Sequence, residues 1–115
     1  MPSATVNKKF IREISQLSDK ELANKDVIIP LVRAFGIKID KRNTAPSLIH
    51  KAVQQVFEQK SMSDRVGLNY LKTLFPLYQT LFPKVNTLAQ RLSEVRDVIK
   101  IHQPAIYERS KHDEF

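Results

Sequence analysis

The sequence predicts an all-α protein: a single compact domain of four to five helices in an orthogonal or bundle-like array. With only two glycines, the chain lacks the turn residues that a compact all-β domain needs. Apolar residues recur at spacings of three and four along most of the chain, which is the period of a helix. The 115 residues, 42% hydrophobic and 27% charged, have the length and composition of one globular domain. We therefore expect residues 1–115 to fold as one unit, with residues 1–6 and 110–115 as flexible tails.

The first predicted helix begins near Asn7, a competent N-cap. Its apolar face consists of Phe10, Ile11, Ile14 and Leu17. Ser18 and Glu21 then have the spacing of a capping box, so we expect a short turn or a second helix start there.

The next helix is predicted to begin at Asp26 and to end at Gly36, which suits the C′ position because glycine tolerates a left-handed backbone. Pro30 is acceptable if it falls within the first turn, where amides lack acceptors in the helix. Residues 37–42 are too short for a sheet and are predicted to form a basic loop.

Thr44 is predicted to cap the clearest helix, with Pro46 in its first turn. One half of that helix is apolar, and His50 and Lys51 are assigned to the other, exposed half. The apolar half consists of Leu48, Ile49, Ala52, Val53, Val56 and Phe57.

A further helix is predicted from Ser63, and its wide apolar arc marks it as the central, most buried helix. Its exposed strip is narrow and consists of Arg65, Asn69, Lys72 and Gln79. We expect Pro76 to kink this helix on its exposed side.

The last long helix is predicted to begin with Pro83 at its first position and to end before Pro104. Its apolar seam, just over two heptads long, consists of Val85, Leu88, Leu92, Val95, Ile99 and His102. The seam is compatible with a coiled-coil dimer or with packing on the same domain, and its shortness favours packing.

The charge balance limits the classes of partner. Lys and Arg number 19 against 12 Asp and Glu, a formal charge of +7, which favours nucleic acid, an anionic membrane surface or an acidic protein. We expect no membrane association, because no helix pairs a wide cationic face with exposed bulky apolar residues. The absence of a signal-type apolar segment predicts an intracellular location, in the cytoplasm or the nucleus or nucleoid.

The sequence gives little sign of catalysis. Zero cysteines exclude thiolate sites, and the three histidines show no metal-ligand spacing. No glycine-rich phosphate loop or nucleophile elbow is present. We therefore predict no enzymatic activity, no cofactor, no metal and no small-molecule substrate.

The basic loop is a candidate phosphate site. Lys38, Lys41 and Arg42 precede a helix whose first turn offers amides and the hydroxyls of Thr44 and Ser47. In the alternative interpretation, Asp40 neutralises Lys41 and Thr44 only caps the helix.

The predicted helix that ends in Gly36-Ile37 is followed by a short connector and then by the segment Asn43-Thr44-Ala45-Pro46-Ser47-Leu48-Ile49-His50-Lys51-Ala52-Val53. Together these elements resemble the SAP-type helix-loop-helix of nucleic-acid-binding proteins. The likeness implies nucleic-acid contact near this loop. The chain departs from the family where a second loop glycine and a lysine near the second helix start are common.

Two functions follow as hypotheses. The first is non-enzymatic binding of DNA or RNA through phosphates. Its predicted contacts are Lys38, Lys41, Arg42, Thr44, Lys51, Arg65, Asn69 and Lys72. The alternative is a protein-interaction module, a homodimer or an adaptor, inhibitor or assembly subunit. Its predicted interface is the line of Leu68, Phe75 and Phe82, spaced by seven residues.

Overall fold

A computed structural model describes residues 3–59 and 62–112, and within them the chain is all helical, with no strand. The helices are α1 (Ala4–Ser15), α2 (Asp19–Leu22), α3 (Lys25–Val32), α4 (Ala45–Phe57), α5 (Asp64–Leu81), α6 (Val85–His102) and α7 (Pro104–Ser110). A short 3-10 turn, Arg33–Phe35, extends α3. The all-α prediction is confirmed. Seven helices in the described residues exceed the four to five predicted. The short α2 forms where a turn or a second helix start was expected, and the short α7 follows the last predicted helix.

The start of α1 differs from the prediction. Ser3 is the N-cap, and its hydroxyl accepts the N–H of Val6 at 3.2 Å. Asn7 is therefore one turn inside the helix and on its buried face. Residues 4–6, assigned above to a tail, form the first turn of α1. In the predicted tail at residues 110–115, Ser110 is the last residue of α7. The tail positions at residues 1, 2 and 113–115 lie outside the described residues.

The caps of α2 and α3 follow from local chemistry. Ser18 and Glu21 form the predicted capping box, with each side chain accepting the other residue's N–H. Asn24, rather than Asp26, caps α3, because its Oδ1 accepts the N–H of Asp26 at 3.0 Å. Pro30 consequently lies beyond the first turn, inside α3.

Gly36 ends this segment as predicted, in the left-handed region at φ 67°. It accepts that conformation because it has no Cβ to meet the following carbonyl oxygen. The chain then leaves the helix and enters the loop that leads to α4.

The most buried helix is α4, not α5 as the sequence suggested. Eight of its 13 residues are buried, and α3 and α6 both pack against it. Thr44 caps it as predicted, with Pro46 in the first turn. Because α4 has neighbours on several sides, its buried arc extends past the apolar half to include His50.

The longer α5 buries only six of its 18 residues. It packs against α1, α6 and α7 on one side, so almost half of its circumference faces outward. The exposed strip is therefore broader than predicted and includes Val66, Thr73, Pro76 and Thr80 as well as the polar residues named above. The helix continues through Pro76.

The middle of the predicted α6 seam packs within the domain, whereas its first and last residues, Val85 and His102, are exposed. Val95 and Ile99 are core residues, and Leu88 and Leu92 pack partly buried against the core. Lys84, not Pro83, is the N-cap, so Pro83 precedes the helix. In α7, Ile106 is buried beside Gly67 of α5. The Cα radius of gyration, 13.3 Å, is that of one compact domain.

Candidate functional site

The basic loop between Gly36 and α4 is held by one aspartate and one asparagine. The Asp40 N–H donates to Oδ1 of Asn43 at 2.9 Å, and the Arg42 N–H donates to Oδ1 of Asp40 at 2.8 Å. The Asn43 N–H donates to the Asp40 carbonyl at 3.3 Å. That carbonyl also accepts the ammonium of Lys25 at 2.8 Å, which ties the loop to the start of α3. The loop therefore has a defined backbone conformation.

This hydrogen bonding decides between the two interpretations of Asp40. Its carboxylate accepts a backbone N–H, and within residues 3–59 and 62–112 it forms no ion pair with Lys41 or Arg42. Lys38, Lys41 and Arg42 are all exposed. The loop thus presents three cations whose charge no side chain in the described part of the chain neutralises by direct contact.

The first turn of α4 offers less to a phosphate than the sequence suggested. Thr44 and Ser47 form a capping box, in which Thr44 Oγ1 accepts the Ser47 N–H at 3.2 Å and Ser47 Oγ accepts the Thr44 N–H at 2.9 Å. Pro46 has no N–H. Any phosphate contact here therefore depends more on the loop cations than on the amides of the helix terminus.

The remaining predicted contacts lie on other elements. Lys51 is on the exposed side of α4, and Arg65, Asn69 and Lys72 are on the outward side of α5. Lys51, Arg65 and Lys72 have no ion-pair partner among the residues described. The predicted contacts thus lie on three parts of the chain: the basic loop with the N-cap of α4, the exposed side of α4 and the outward side of α5. In contrast, Arg91 of α6 donates to Glu94 at 3.0 Å.

The predicted partner line is mostly covered by the protein's own core. Leu68 and Phe82 are only 7% and 8% exposed, whereas Phe75 is partly exposed. Phe75 and Leu92 both line a cavity of about 20 Å³, a volume large enough for about one water. The interface stays a prediction, and only Phe75 of the three has appreciable surface for a partner.

Sequence reasoning missed a buried polar chain that joins α4, α5 and α6. His50, assigned above to the exposed half of α4, is 4% exposed. Its Nδ1 lies 2.7 Å from the Tyr78 hydroxyl, and its Nε2 lies 2.9 Å from Oε2 of Glu94. On the helix wheel, His50 lies next to Phe57 at the edge of the apolar arc. This position is the sequence feature that could have indicated that His50 is buried.

The proton positions in this chain follow from the charges. Burial raises the pKa of Glu94, but the hydrogen bond from His50 and the charge of Arg91 outweigh it, so the net pKa is lowered and the group is a carboxylate. A carboxylate only accepts, so His50 carries its hydrogen on Nε2. Nδ1 then accepts from Tyr78, whose phenol keeps its proton because burial raises its pKa far above the ordinary 10.0.

Burial also lowers the pKa of His50 below 6.5, and the hydrogen bond and charge of Glu94 only partly oppose that effect. The imidazole is consequently neutral near pH 7. Tyr78 also lines an apolar cavity of about 20 Å³. These hydrogen bonds of His50 connect α4 to α5 and α6.

Two observations concern other kinds of site. Among the described residues, no three His, Asp or Glu side chains come close enough to hold a metal ion. In the part of the chain that the structure describes, no helix combines the length and the apolar character needed to cross a membrane.

The likeness of residues 36–53 to the SAP-type motif rests on those residues alone. Compared with known proteins over its length, the chain matches no protein family, no curated protein sequence and no solved structure.

Proposed function

We propose that the protein binds nucleic acid without catalysis, and that the loop of Lys38, Lys41 and Arg42 is its main phosphate contact. The observation that carries this proposal is the hydrogen bonding of Asp40. Its carboxylate orders the backbone beneath the cations and does not pair with their side chains. The loop therefore offers its cations from a backbone that is already ordered.

The order of the loop backbone matters for affinity. Ordering a flexible loop on binding reduces the net gain from each contact, and a loop that is already ordered avoids most of that cost. The Asp40 N–H is bonded to the Asn43 side chain and the Asp40 carbonyl to the Lys25 ammonium, so both backbone groups of Asp40 are held before any ligand binds. A phosphate then has to order only the side chains of Lys41 and Arg42.

The outward side of α5 supplies a second contact area. Arg65 and Lys72 are exposed there with Asn69, a residue type that donates to sugar or base edges. The sequence from Arg65 to Ser93 contains no Asp or Glu to repel a phosphate. Pro76 lies on this side, where we expect it to bend α5 because it gives no N–H to the Lys72 carbonyl.

The experiment is a titration of fluorescent duplex and single-stranded oligonucleotides with the purified protein, read by anisotropy. Binding through phosphates must weaken as salt rises from about 50 to 200 mM. The predicted contacts include six cationic side chains: Lys38, Lys41, Arg42, Lys51, Arg65 and Lys72. If all six contact phosphates on a duplex, the slope of log affinity against log salt is about −5. No binding to either strand form at micromolar protein and low salt would refute the proposal. A protein that binds nucleic acid in this way would work inside the cell.

A second candidate is a protein-interaction module, favoured by the N-terminal half of α6. Val85 is 78% exposed, and Leu88 and Leu92 are only partly covered. Leu92 lines a small cavity together with Phe75 of α5. Light scattering separates monomer from dimer directly. Phe75→Asp should leave the fold intact and abolish any dimer, whereas the same change at buried Phe82 should unfold the domain. A wild-type monomer unaffected by Phe75→Asp would exclude the homodimer.

A further inference from the structure

The basic loop is anchored at both of its ends. Ile37 and Ile39 pack partly buried against the core, and Thr44, at the other end, caps α4. The segment between these anchors, residues 40–43, has no apolar side chain to bury. Hydrogen bonds therefore decide where this turn lies relative to the helices.

The bonds within the turn are local. They join Asp40 with Arg42 and with Asn43, partners that are two and three residues away. Such bonds give the turn its shape, because they close a ring of a few residues. They do not set its orientation on the domain, because a turn of fixed shape is still free to swing about its two ends.

Lys25 supplies a bond from another element. It is the first residue of α3, 15 residues before Asp40, and its ammonium donates to the Asp40 carbonyl at 2.8 Å. Within residues 3–59 and 62–112, this is the one hydrogen bond that joins residues 37–43 to a helix other than α4. The position of the turn on the domain therefore depends on Lys25.

Lys25 also differs from the cations that are assigned to phosphates. It is half-buried, whereas Lys41 and Arg42 are exposed. It forms no ion pair with a carboxylate in the described part of the chain. The start of a helix is an unfavourable place for a cation, because the helix dipole is positive there. The charge of Lys25 thus gains nothing from α3, and its observed interaction is with the loop.

We propose that Lys25 is the positioning residue of the phosphate-binding loop. Through the Asp40 carbonyl it holds the turn where Lys41 and Arg42 meet the nucleic acid, and it contacts no phosphate itself. The inference rests on the proposed nucleic-acid binding and adds the bond that orients that site. Without this bond the turn has to be ordered on binding, which reduces the affinity.

The first test examines the loop without nucleic acid. Lys25→Met keeps the aliphatic stem and removes the ammonium, and α3 should still fold because its N-cap, Asn24, is unchanged. The matched control is Lys20→Met on α2, which removes the same charge from an exposed lysine that has no ion-pair partner among the described residues.

The readout is ¹⁵N relaxation of the free proteins. We expect the order parameters of residues 38–43 to fall from about 0.85 toward 0.6 in Lys25→Met and to stay at the wild-type values in Lys20→Met. The amides of α4 should keep their wild-type values in both variants. An equally ordered loop in Lys25→Met and the wild type would overturn the proposal.

The second test measures duplex binding by anisotropy over a series of salt concentrations. We expect Lys25→Met to bind about fivefold more weakly than Lys20→Met, the value of roughly one hydrogen bond. The two salt slopes should be equal, because neither variant removes a phosphate contact. Lys25→Arg, which keeps the charge and a donor, should restore most of the affinity.

Two results of the binding test would contradict the positioning role. A slope shallower by about 0.9 in Lys25→Met than in Lys20→Met would make Lys25 a phosphate contact. Equal affinities of these two variants would mean that the bond to Asp40 does not contribute to binding.

The two proposals can fail separately. If wild-type protein binds duplex with steep salt dependence but Lys25→Met neither loosens the loop nor weakens binding, the role of Lys25 is wrong and the phosphate surface stands. If Lys25→Met loosens the loop but the wild type binds no polynucleotide, Lys25 does position the loop and the proposed function is wrong.

Discussion

Oδ1 of Asp40 accepts the backbone N–H of Arg42 at 2.8 Å, so the one carboxylate in the basic loop orders the loop instead of neutralising it. The bond closes a turn of the kind that Asp forms with its own backbone two residues on. The Asn43 side chain completes the arrangement by accepting the Asp40 N–H. Loop geometry and loop charge are therefore set by different atoms.

Two substitutions at position 40 separate those contributions. Asp40→Asn and Asp40→Ala remove the same negative charge, but only Asn keeps an oxygen that accepts the Arg42 N–H. We expect Asp40→Asn to bind an oligonucleotide about fivefold more tightly than Asp40→Ala, the value of roughly one hydrogen bond. Anisotropy at fixed salt measures the ratio. Equal affinities would mean that the order of this loop does not contribute to binding.

The His50 and Tyr78 pair should show strong coupling in stability. Tyr78→Phe removes the donor to Nδ1, and His50→Leu leaves the Tyr78 hydroxyl buried without its acceptor. Each change is expected to cost about 1–3 kcal/mol of unfolding free energy. The double variant should lose less than the sum of the two, because neither orphaned group remains. Urea unfolding of all four proteins gives the coupling, and strict additivity would contradict the bond.

The same histidine predicts the pH dependence of stability. Burial lowers the His50 pKa below its ordinary 6.5 in the folded state, despite the opposing contribution of Glu94. Below that pH the unfolded chain binds a proton that the folded chain does not, so the free energy of unfolding falls as the pH drops below 6.5. Denaturant melts from pH 8 to pH 5 measure this fall. The His50→Leu variant should show a flatter profile, and an unchanged slope would assign the effect elsewhere.

The contact between α5 and α7 depends on the missing side chain of Gly67. A Cβ at that position would lie 2.3 Å from Cδ1 of Ile106, too close for the present packing. Gly67→Ala should therefore destabilise the domain, even though alanine favours a helix by about 1 kcal/mol. Ile106→Val removes the clashing methyl, so the pair of changes should be less destabilising than the two single changes added together. Thermal melts of the three variants provide the comparison.

The parts of the fold that local chemistry determines were predictable from the sequence. The capping box at Ser18, the N-cap Thr44, the left-handed Gly36 and the start of a helix at Ser63 all follow from interactions within four residues. The first helix start was wrong because Ser3 and Asn7 are both good caps and the sequence alone does not rank them. Asn24 and Asp26 present the same ambiguity.

Features that depend on tertiary packing were not predictable. The wide apolar arc of α5 indicated a central helix, but α4 has that place because α3 and α6 both pack on it. The burial of His50 depends on Tyr78 and Glu94, which are 28 and 44 residues away. For the candidate site, the exposed cations were visible in the sequence, whereas the role of Asp40 was not.

The central claim is that the basic loop is the main phosphate contact. The most direct test compares the oligonucleotide affinity of the loop double variant Lys41→Glu/Arg42→Glu with that of a control double variant, Lys8→Glu/Arg12→Glu. Both pairs change the net charge equally and alter exposed residues, but only the first lies in the loop. We predict that the loop variant loses at least tenfold more affinity than the control at about 100 mM salt, with a shallower salt slope by about two contacts on a duplex. Equal losses in the two variants would show that binding follows net charge alone, which contradicts the assignment of the loop as the phosphate contact.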